Sequence, residues 1–362
     1  MIRNQVLRWR VRSGLVVAGA VLLGATAALQ RPEIPTGGPI PDRRGFQGVT
    51  DPRYPDVLKN GVVTRRVAGQ ISVIAGAGGN IALQAGDDGL LLVDDNFKIF
   101  YEQIMAAIRQ ISDKPIKIVV NTHSHPDHLE NNENMFRQGA LVFSHPNTRI
   151  ALMRQGQPPA AGAATAGRPG AAPGVAPPQG RGAPTPIPPA GWPTVTSGEP
   201  MTFHFNGEDV TYVPLKPSHT NGDVAVYFPK SDVWAFGDVY TTDYPSINVA
   251  QGGTIENFID NYNKALAMTT PNTIFVPGHA QLSRRADVVA NRDAIGIIHD
   301  RFVTMVAQGM TLEQIRAARP SKEFDARFAT ETFAPNDVQN STRWYEQMYN
   351  EARTHLASTR SP

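Results

Sequence analysis

Past residue 66 the chain is dominated by short apolar runs, rich in β-branched residues and separated by Gly-rich turns. Residues 67–75 and 80–85 read as paired strands around the Gly76-Ala77-Gly78-Gly79 turn. Leu90-Leu91-Leu92-Val93-Asp94-Asp95 follows the Gly86-Asp87-Asp88-Gly89 turn and completes a β-meander. The period then changes, with Phe97, Phe100, Ile104, Ala107, Ile108 and Ile111 recurring at helical spacing over 96–111. Ile116-Lys117-Ile118-Val119-Val120 reads as a buried strand, followed by a helix over 132–138, a strand over 140–143 and a helix over 146–154. A second series has strands at 201–205, 209–215, 224–228 and 233–236, then helices over 255–268 and 282–308 flanking a short strand at 273–276. Thr311-Leu312-Glu313-Gln314 opens a further helix with a capping-box pattern, and residues 340–357 read as a terminal helix. The order predicts an α/β protein of two similar β-rich halves, with helices covering the outer faces.

Two stretches break this pattern. Residues 30–60 are rich in Pro, Gly and Arg without periodicity and read as a lead-in. Residues 157–193 are mostly Pro, Ala and Gly, with only Arg168 and Arg181 charged. Such a segment buries too little surface to offset its ordering entropy, so it is expected to be a disordered surface insertion. Ahead of both, Arg8-Trp9-Arg10-Val11-Arg12 precedes the apolar run Leu15 to Leu23 and the small residues Ala25-Thr26-Ala27, the layout of an export signal. The expected organisation is a signal peptide at 1–27, a lead-in at 28–60, a catalytic domain at 61–320 carrying the insertion at 157–193, and a helical extension at 321–362. The expected location is periplasmic or secreted, with no membrane attachment after cleavage.

Composition adds two restrictions. The formal charge of +2 includes Arg3, Arg8, Arg10 and Arg12 of the leader, which holds no acid, so the mature chain stands at −2. That near-neutrality argues against nucleic acid and leaves a small-molecule substrate as the expected partner. There is no cysteine, so any metal site must be built from His, Asp, Glu or water.

The chemistry concentrates in His123-Ser124-His125-Pro126-Asp127-His128, directly after the strand ending at Val120. Alternate residues of a loop point different ways, so His123 and His125 can share one metal while Asp127 and His128 turn toward a second. Imidazole and carboxylate are the ligands of catalytic zinc. Three more candidates sit at strand exits beside glycines: His219 in Ser218-His219-Thr220-Asn221-Gly222, Asp238 in Phe236-Gly237-Asp238, and His279 in Pro277-Gly278-His279. Together these seven suffice for two metals.

The pattern His-x-His-x-Asp-His, then a separate His, an Asp and a final His, resembles the metallo-β-lactamase superfamily. The resemblance implies a four-layer αβ/βα sandwich of two β-sheets flanked by helices, with the site at one edge of the sheets. It places His123, His125 and His219 on one metal and Asp127, His128 and His279 on the other, with Asp238 bridging. Two departures stand out. The best-known subclass of true β-lactamases has Cys where this chain has Asp238, which instead matches glyoxalase II-like and lactonase-like hydrolases. Leu129-Glu130-Asn131 replaces small or Gly-rich residues. The implied activity is an exported dinuclear zinc hydrolase. A metal-bridging hydroxide would attack the carbonyl of an ester, thioester, lactone or lactam, and Asp127 would shuttle the proton. The alternatives are a β-lactamase proper, an iron-dependent persulfide dioxygenase-like enzyme, since N/O ligands admit iron, and a non-catalytic metal-binding protein. Among the remaining polar residues, His145 is expected to cap the following helix or to hydrogen bond behind a ligand, Asp94 and Asp95 either to hold a ligand's imidazole or simply to end their strand in a turn, and His204, His299 and His355 to be structural or solvated.

Overall fold

The computed structural model describes residues 62–155 except 77, 186–328 except 280, and 338–359. The predicted leader, the lead-in and residues 157–185 of the predicted insertion lie outside these. A seven-stranded sheet runs in chain order through β1 (Val63–Ala68), β2 (Ile71–Ala75), β3 (Ile81–Gly86), β4 (Gly89–Val93), β5 (Ile116–Val120), β6 (Leu141–Ser144) and β7 (Val195–Thr196). Its first four strands form the antiparallel meander. From β4 onward the pairing is parallel, because α1 (Tyr101–Ile111) and then α2 (Pro126–Leu129) with α3 (Asn132–Arg137) supply the crossovers. After α4 (Pro146–Arg154), a six-stranded sheet follows. It comprises β8 (Met201–Phe205), β9 (Glu208–Pro214), β10 (Val224–Phe228), β11 (Val233–Gly237), β12 (Ile274–Pro277) and β13 (Ser283–Arg284), with α5 (Ile255–Met268) between β11 and β12. Among the described residues four helices follow: α6 (Arg285–Ala307), α7 (Leu312–Ala318), α8 (Asp325–Phe328) and α9 (Val338–Thr359).

Why the strands read as continuous apolar runs is now visible: both faces of each sheet are covered. Ile71, Val73, Leu91 and Val93 of the first sheet meet Val210, Val224, Val226 and Ala235 of the second in one inter-sheet core. Their alternating neighbours Ile74, Leu83, Leu90 and Leu92 turn outward to Ile104 and Ile108 of α1. Trp234, Phe236 and Phe275 turn outward to Phe258 and Tyr262 of α5 and Ile298 and Phe302 of α6. The layers are thus helix, sheet, sheet, helix. The terminal helix, read from sequence as an extension, adds Trp344, Tyr345, Met348 and Ala352 to this last core.

Local differences from the sequence reading have local causes. The strand expected over 67–75 is broken at Gly69, whose φ of +51° turns the chain and releases β1 as a separate strand. The helix expected from 96 begins later because Asn96 sits at φ +65°, incompatible with an α-helical turn. The helix expected from 282 starts at Arg285, since Ser283 and Arg284 pair with β12. The predicted insertion overreached at its end: Ile187 packs with Leu129 and Leu152, and Trp192 covers them. Arg149 also ties Pro193 O at 2.5 Å.

Candidate metal centre

All seven candidate ligands leave the sheets at one edge. His123, His125, Asp127 and His128 follow β5, with Asp127 and His128 in the first turn of α2. His219 lies between β9 and β10, Asp238 just past β11, and His279 just past β12. Close backbone approach is what lets these exits converge. A Cβ on Gly278 would stand 1.9 Å from Asp238 Oδ1, and one on Gly79 would stand 2.4 Å from the His128 ring. Only glycine fits either place.

The side chains form two adjoining groups, His123, His125, His219 and Asp238 in one, and Asp127, His128 and His279 in the other. In the first, His125 Nδ1 lies 3.0 Å from His123 Nε2 and 2.9 Å from His219 Nε2. In the second, His279 Nε2 lies 3.2 Å from His128 Nε2 and 3.1 Å from Asp127 Oδ2. Asp238 stands between them. Its Oδ2 is 3.3 Å from His219 and 3.9 Å from His123, while its Oδ1 is 3.3 Å from His128 and 3.4 Å from His279.

A hydrogen-bond relay fixes which nitrogen each ring turns inward. Asp94 Oδ2 accepts from His128 Nδ1 at 2.7 Å and from the Thr122 hydroxyl at 2.8 Å. With its proton so committed, the Thr122 oxygen is left to accept from His123 Nδ1 at 3.0 Å. Asp94 Oδ1 takes the Thr122 N–H. One carboxylate therefore orients a ring in each group, leaving both Nε2 lone pairs aimed at the centre. His219 is held the same way, its Nδ1 donating to Ser246 O at 3.1 Å. Its turn is braced by Asp223, which accepts from Ser218 and Thr220. Asp95 does not touch a ligand ring. Its Oδ1 accepts from Asn131 N and pins the stretch after α2. His145 caps α4, its Nδ1 accepting from Asn147 N at 3.1 Å. His204 pairs with Asp209 on the surface.

The two groups differ electrostatically. Burial first, and then neighbouring imidazoles, hold His123 well below the ordinary histidine range and bring His125 to about 4. The first group is therefore a set of neutral nitrogens, the form a metal binds. In the second, burial acts downward on His279 but Asp238 and Asp127 outweigh it and lift the ring to about 9. Burial acts upward on Asp238, and His279, His128 and His219 overcome it. Buried lone pairs converging on one point, next to carboxylates facing imidazoles, are a donor set that fits a dication in each group.

A cavity of about 240 Å³ opens over Asp127, His219, Asp238 and His279. Its far wall was not read from sequence. It comes from the loop after β11, with Asp243 and Tyr244, and from α8 and α9, with Phe328, Arg343, Trp344 and Gln347. Tyr244 stacks on Trp344 with ring centres 4.0 Å apart and lies against Phe328 at 4.6 Å. These residues carry no local motif. Only the aromatic content of 344–349 hinted that the helix was packed on something.

A four-layer sandwich with this ligand pattern at its edge defines a metallohydrolase-type fold, and the sequence comparison makes the class specific. Residues 76–279, more than half of the chain, match the model of the metallo-beta-lactamase superfamily, and the chain belongs to that family. A curated relative, a linear primary-alkylsulfatase from a Pseudomonas species, is 26% identical over 261 residues, covering 63% of this chain and 47% of the relative. The chain thus spans about half the length of that protein. Among solved structures, a stereoselective inverting sec-alkylsulfatase from Pseudomonas sp. superposes with a TM-score of 0.52 at 16% identity, covering 80% of this chain and 50% of its own. A metallo-beta-lactamase from Pontibacter korlensis superposes with a TM-score of 0.49 at 16% identity, covering 65% of this chain and 99% of its own.

Proposed function

We propose that this chain is a dinuclear zinc hydrolase. The observation that carries the reading is Asp238, whose two oxygens each face a different ligand group at 3.3 Å. A monodentate structural site has no use for such a placement, and two cations held close together need a carboxylate between them. His123, His125 and His219 would hold one ion, Asp127, His128 and His279 the other, and Asp238 both. Two zinc ions so held supply a water with a pKa near about 7 and a Lewis acid for the substrate's electrophilic centre. The chain's own part is to orient the donors through Asp94 and Thr122. Asp127 lines the cavity with its Oδ2 turned to His279, and there it would also take the proton.

The substrate class is an ester, thioester, lactone or lactam. A sulfate ester is the second reading, favoured by the alkylsulfatase relative and by Arg343 and the Tyr244–Trp344–Phe328 face on the cavity wall. That wall suits an anionic head joined to an apolar body. Export by the segment 1–27 belongs to the same proposal, and N-terminal sequencing of protein recovered from the cell envelope or medium tests it. Among the described residues no helix is long and apolar enough to cross a membrane.

The test of the activity is elemental analysis followed by a hydrolysis screen on nitrocefin, lactones, thioesters and primary alkyl sulfates. Zinc in both groups of the centre, at least two ions per chain, and turnover in one class are expected. Full zinc loading with no turnover in any class would leave a metal-binding protein without catalysis.

A further inference from the structure

A second group of ligand-type side chains lies where three helices pack, away from the cavity. Glu256 stands in the first turn of α5, His299 is on α6, and Glu351 and His355 lie one turn apart on α9. That i, i+4 spacing puts both on one helix face. His299 Nε2 is 2.8 Å from Glu351 Oε2 and 3.8 Å from Glu256 Oε1, and His355 Nδ1 is 2.5 Å from Glu256 Oε1. The two imidazoles stand with centres 5.4 Å apart at an interplanar angle of 85°. Glu256, His299 and His355 each offer an atom within 4.8 Å of the other two.

These separations are short, yet Glu256 Oε1, His299 Nε2 and Glu351 Oε2 make no hydrogen bond of acceptable geometry. Glu351 is 1% exposed and His299 5%, so solvent does not satisfy them either. Its other oxygen, Oε1, accepts from Ile255 N at 3.2 Å and holds the carboxylate in place. Buried polar atoms that crowd together without aligning on one another call for an explanation, and a shared ion supplies one. Burial acts downward on His299, but Glu351 and Glu256 outweigh it and raise the ring, so the junction draws positive charge to this point, a place a bound cation would fill. Around tetrahedral zinc, N and O ligands at roughly 2.0–2.1 Å stand about 3.3 Å from one another. The observed contacts fall on both sides of that spacing.

We propose that Glu256, His299, Glu351 and His355 form a separate, non-catalytic site for a divalent transition ion, zinc by ligand type. Bound there, the ion clamps α9 onto α5 and α6. Because α9 also carries Arg343, Trp344 and Gln347 to the cavity, the clamp fixes one wall of the substrate space.

The test uses the full chain dialysed against micromolar free zinc. Anomalous scattering at the zinc edge from wild-type crystals should show a peak among these four side chains. By elemental analysis, His355→Ala and Glu256→Gln should each hold one zinc fewer than wild type, with the ions at His123 and His279 retained. Both substituted residues are partly exposed, so their loss leaves the core in place; if either variant fails to fold, the wild-type diffraction decides alone. No anomalous peak at the helix junction overturns the proposal and leaves a simple ion-pair cluster. The outcome is independent of the hydrolase reading, since a peak here with an inactive cavity leaves this site standing.

Discussion

The two halves of the sandwich contribute to the centre in opposite ways. The first half delivers four ligand-type side chains from one six-residue stretch leaving β5, two of them, His128 and His123, oriented through the single carboxylate of Asp94. The second half delivers three, from three separate strand exits, and adds a cavity wall assembled from a loop and two helices. Packing follows the same division. Outside the first sheet the core is largely aliphatic, with Leu83, Leu90, Leu92 and Ile104, whereas outside the second it is aromatic, with Trp234, Phe236, Tyr262 and Phe275. Local sequence therefore sets the chemistry of the first half, and long-range packing sets the shape of the second. A chemistry-bearing motif with a separately assembled wall lets the substrate space change while the ligand stretch stays intact.

The largest effects should come from removing one ligand on each side. His123→Ala takes away a nitrogen of the first group and should lose metal and activity together, by more than about 100-fold, above the range typical of a ligand's supporting partner. Asp238→Asn keeps the size but loses the charge between the two groups. It should retain the first metal, lose much of the second and drop sharply in turnover. Undiminished metal content and wild-type turnover in Asp238→Asn would remove the bridge and the dinuclear reading with it. Gly278→Ala probes the same carboxylate through the backbone. Its Cβ has no room beside Asp238 Oδ1, so metal loss in a folded protein is expected, read by elemental analysis beside circular dichroism.

One step smaller is Asp94→Ala, which leaves every ligand present but frees the rings of His128 and His123 to turn. A loss of about 10–100-fold in metal affinity or activity is expected. The comparison sharpens if both metals weaken together. Weakening of the second metal alone would mean that the relay through Thr122 does not reach His123.

The legibility of this molecule follows the same line. The meander, α1, β5 and the seven converging residues were readable because each depends on near neighbours: an alternation, a helical period, or a glycine beside a strand exit. Thr122 was passed over because its role needs Asp94, which lies 28 residues away in sequence. Asp95 looked equivalent to Asp94, yet the left-handed backbone at Asp94, φ +65°, turns the two carboxylates to different partners. The cavity wall and the Glu256–His299–Glu351–His355 group had no local signature, since the wall comes from a loop and two helices and the group from three helices, whose packing only the fold determines.

Trp344→Leu tests the wall without touching a ligand. The stacked contact with Tyr244 is lost, and aromatic pairs are worth about 0.5–1.5 kcal/mol beyond their buried area. If the wall binds the substrate's apolar body equally in ground and transition states, KM should rise with kcat little changed, while the lost stack lowers stability alone. A fall in kcat with constant KM would instead place the wall in the chemical step.

The smallest effect is expected from the composition-biased stretch, and here the structure divides what the sequence joined. Ile187 is buried against Leu129 and Leu152, so Ile187→Ala should cost about 2 kcal/mol, the lower end for truncating a buried aliphatic side chain. Deleting 157–185 should cost almost nothing. The flanks already meet, with Ile187 N donating to Gln155 Oε1 at 3.2 Å, so a few Gly and Ser residues can close the gap without displacing either end. A shorter loop also loses less entropy on closure, roughly 0.6 kcal/mol for each halving of its length, so a slight gain in stability is the expected sign. Thermal unfolding of the two variants side by side reads the contrast. A midpoint lowered further by the deletion than by Ile187→Ala would show that residues 157–185 contribute packing of their own.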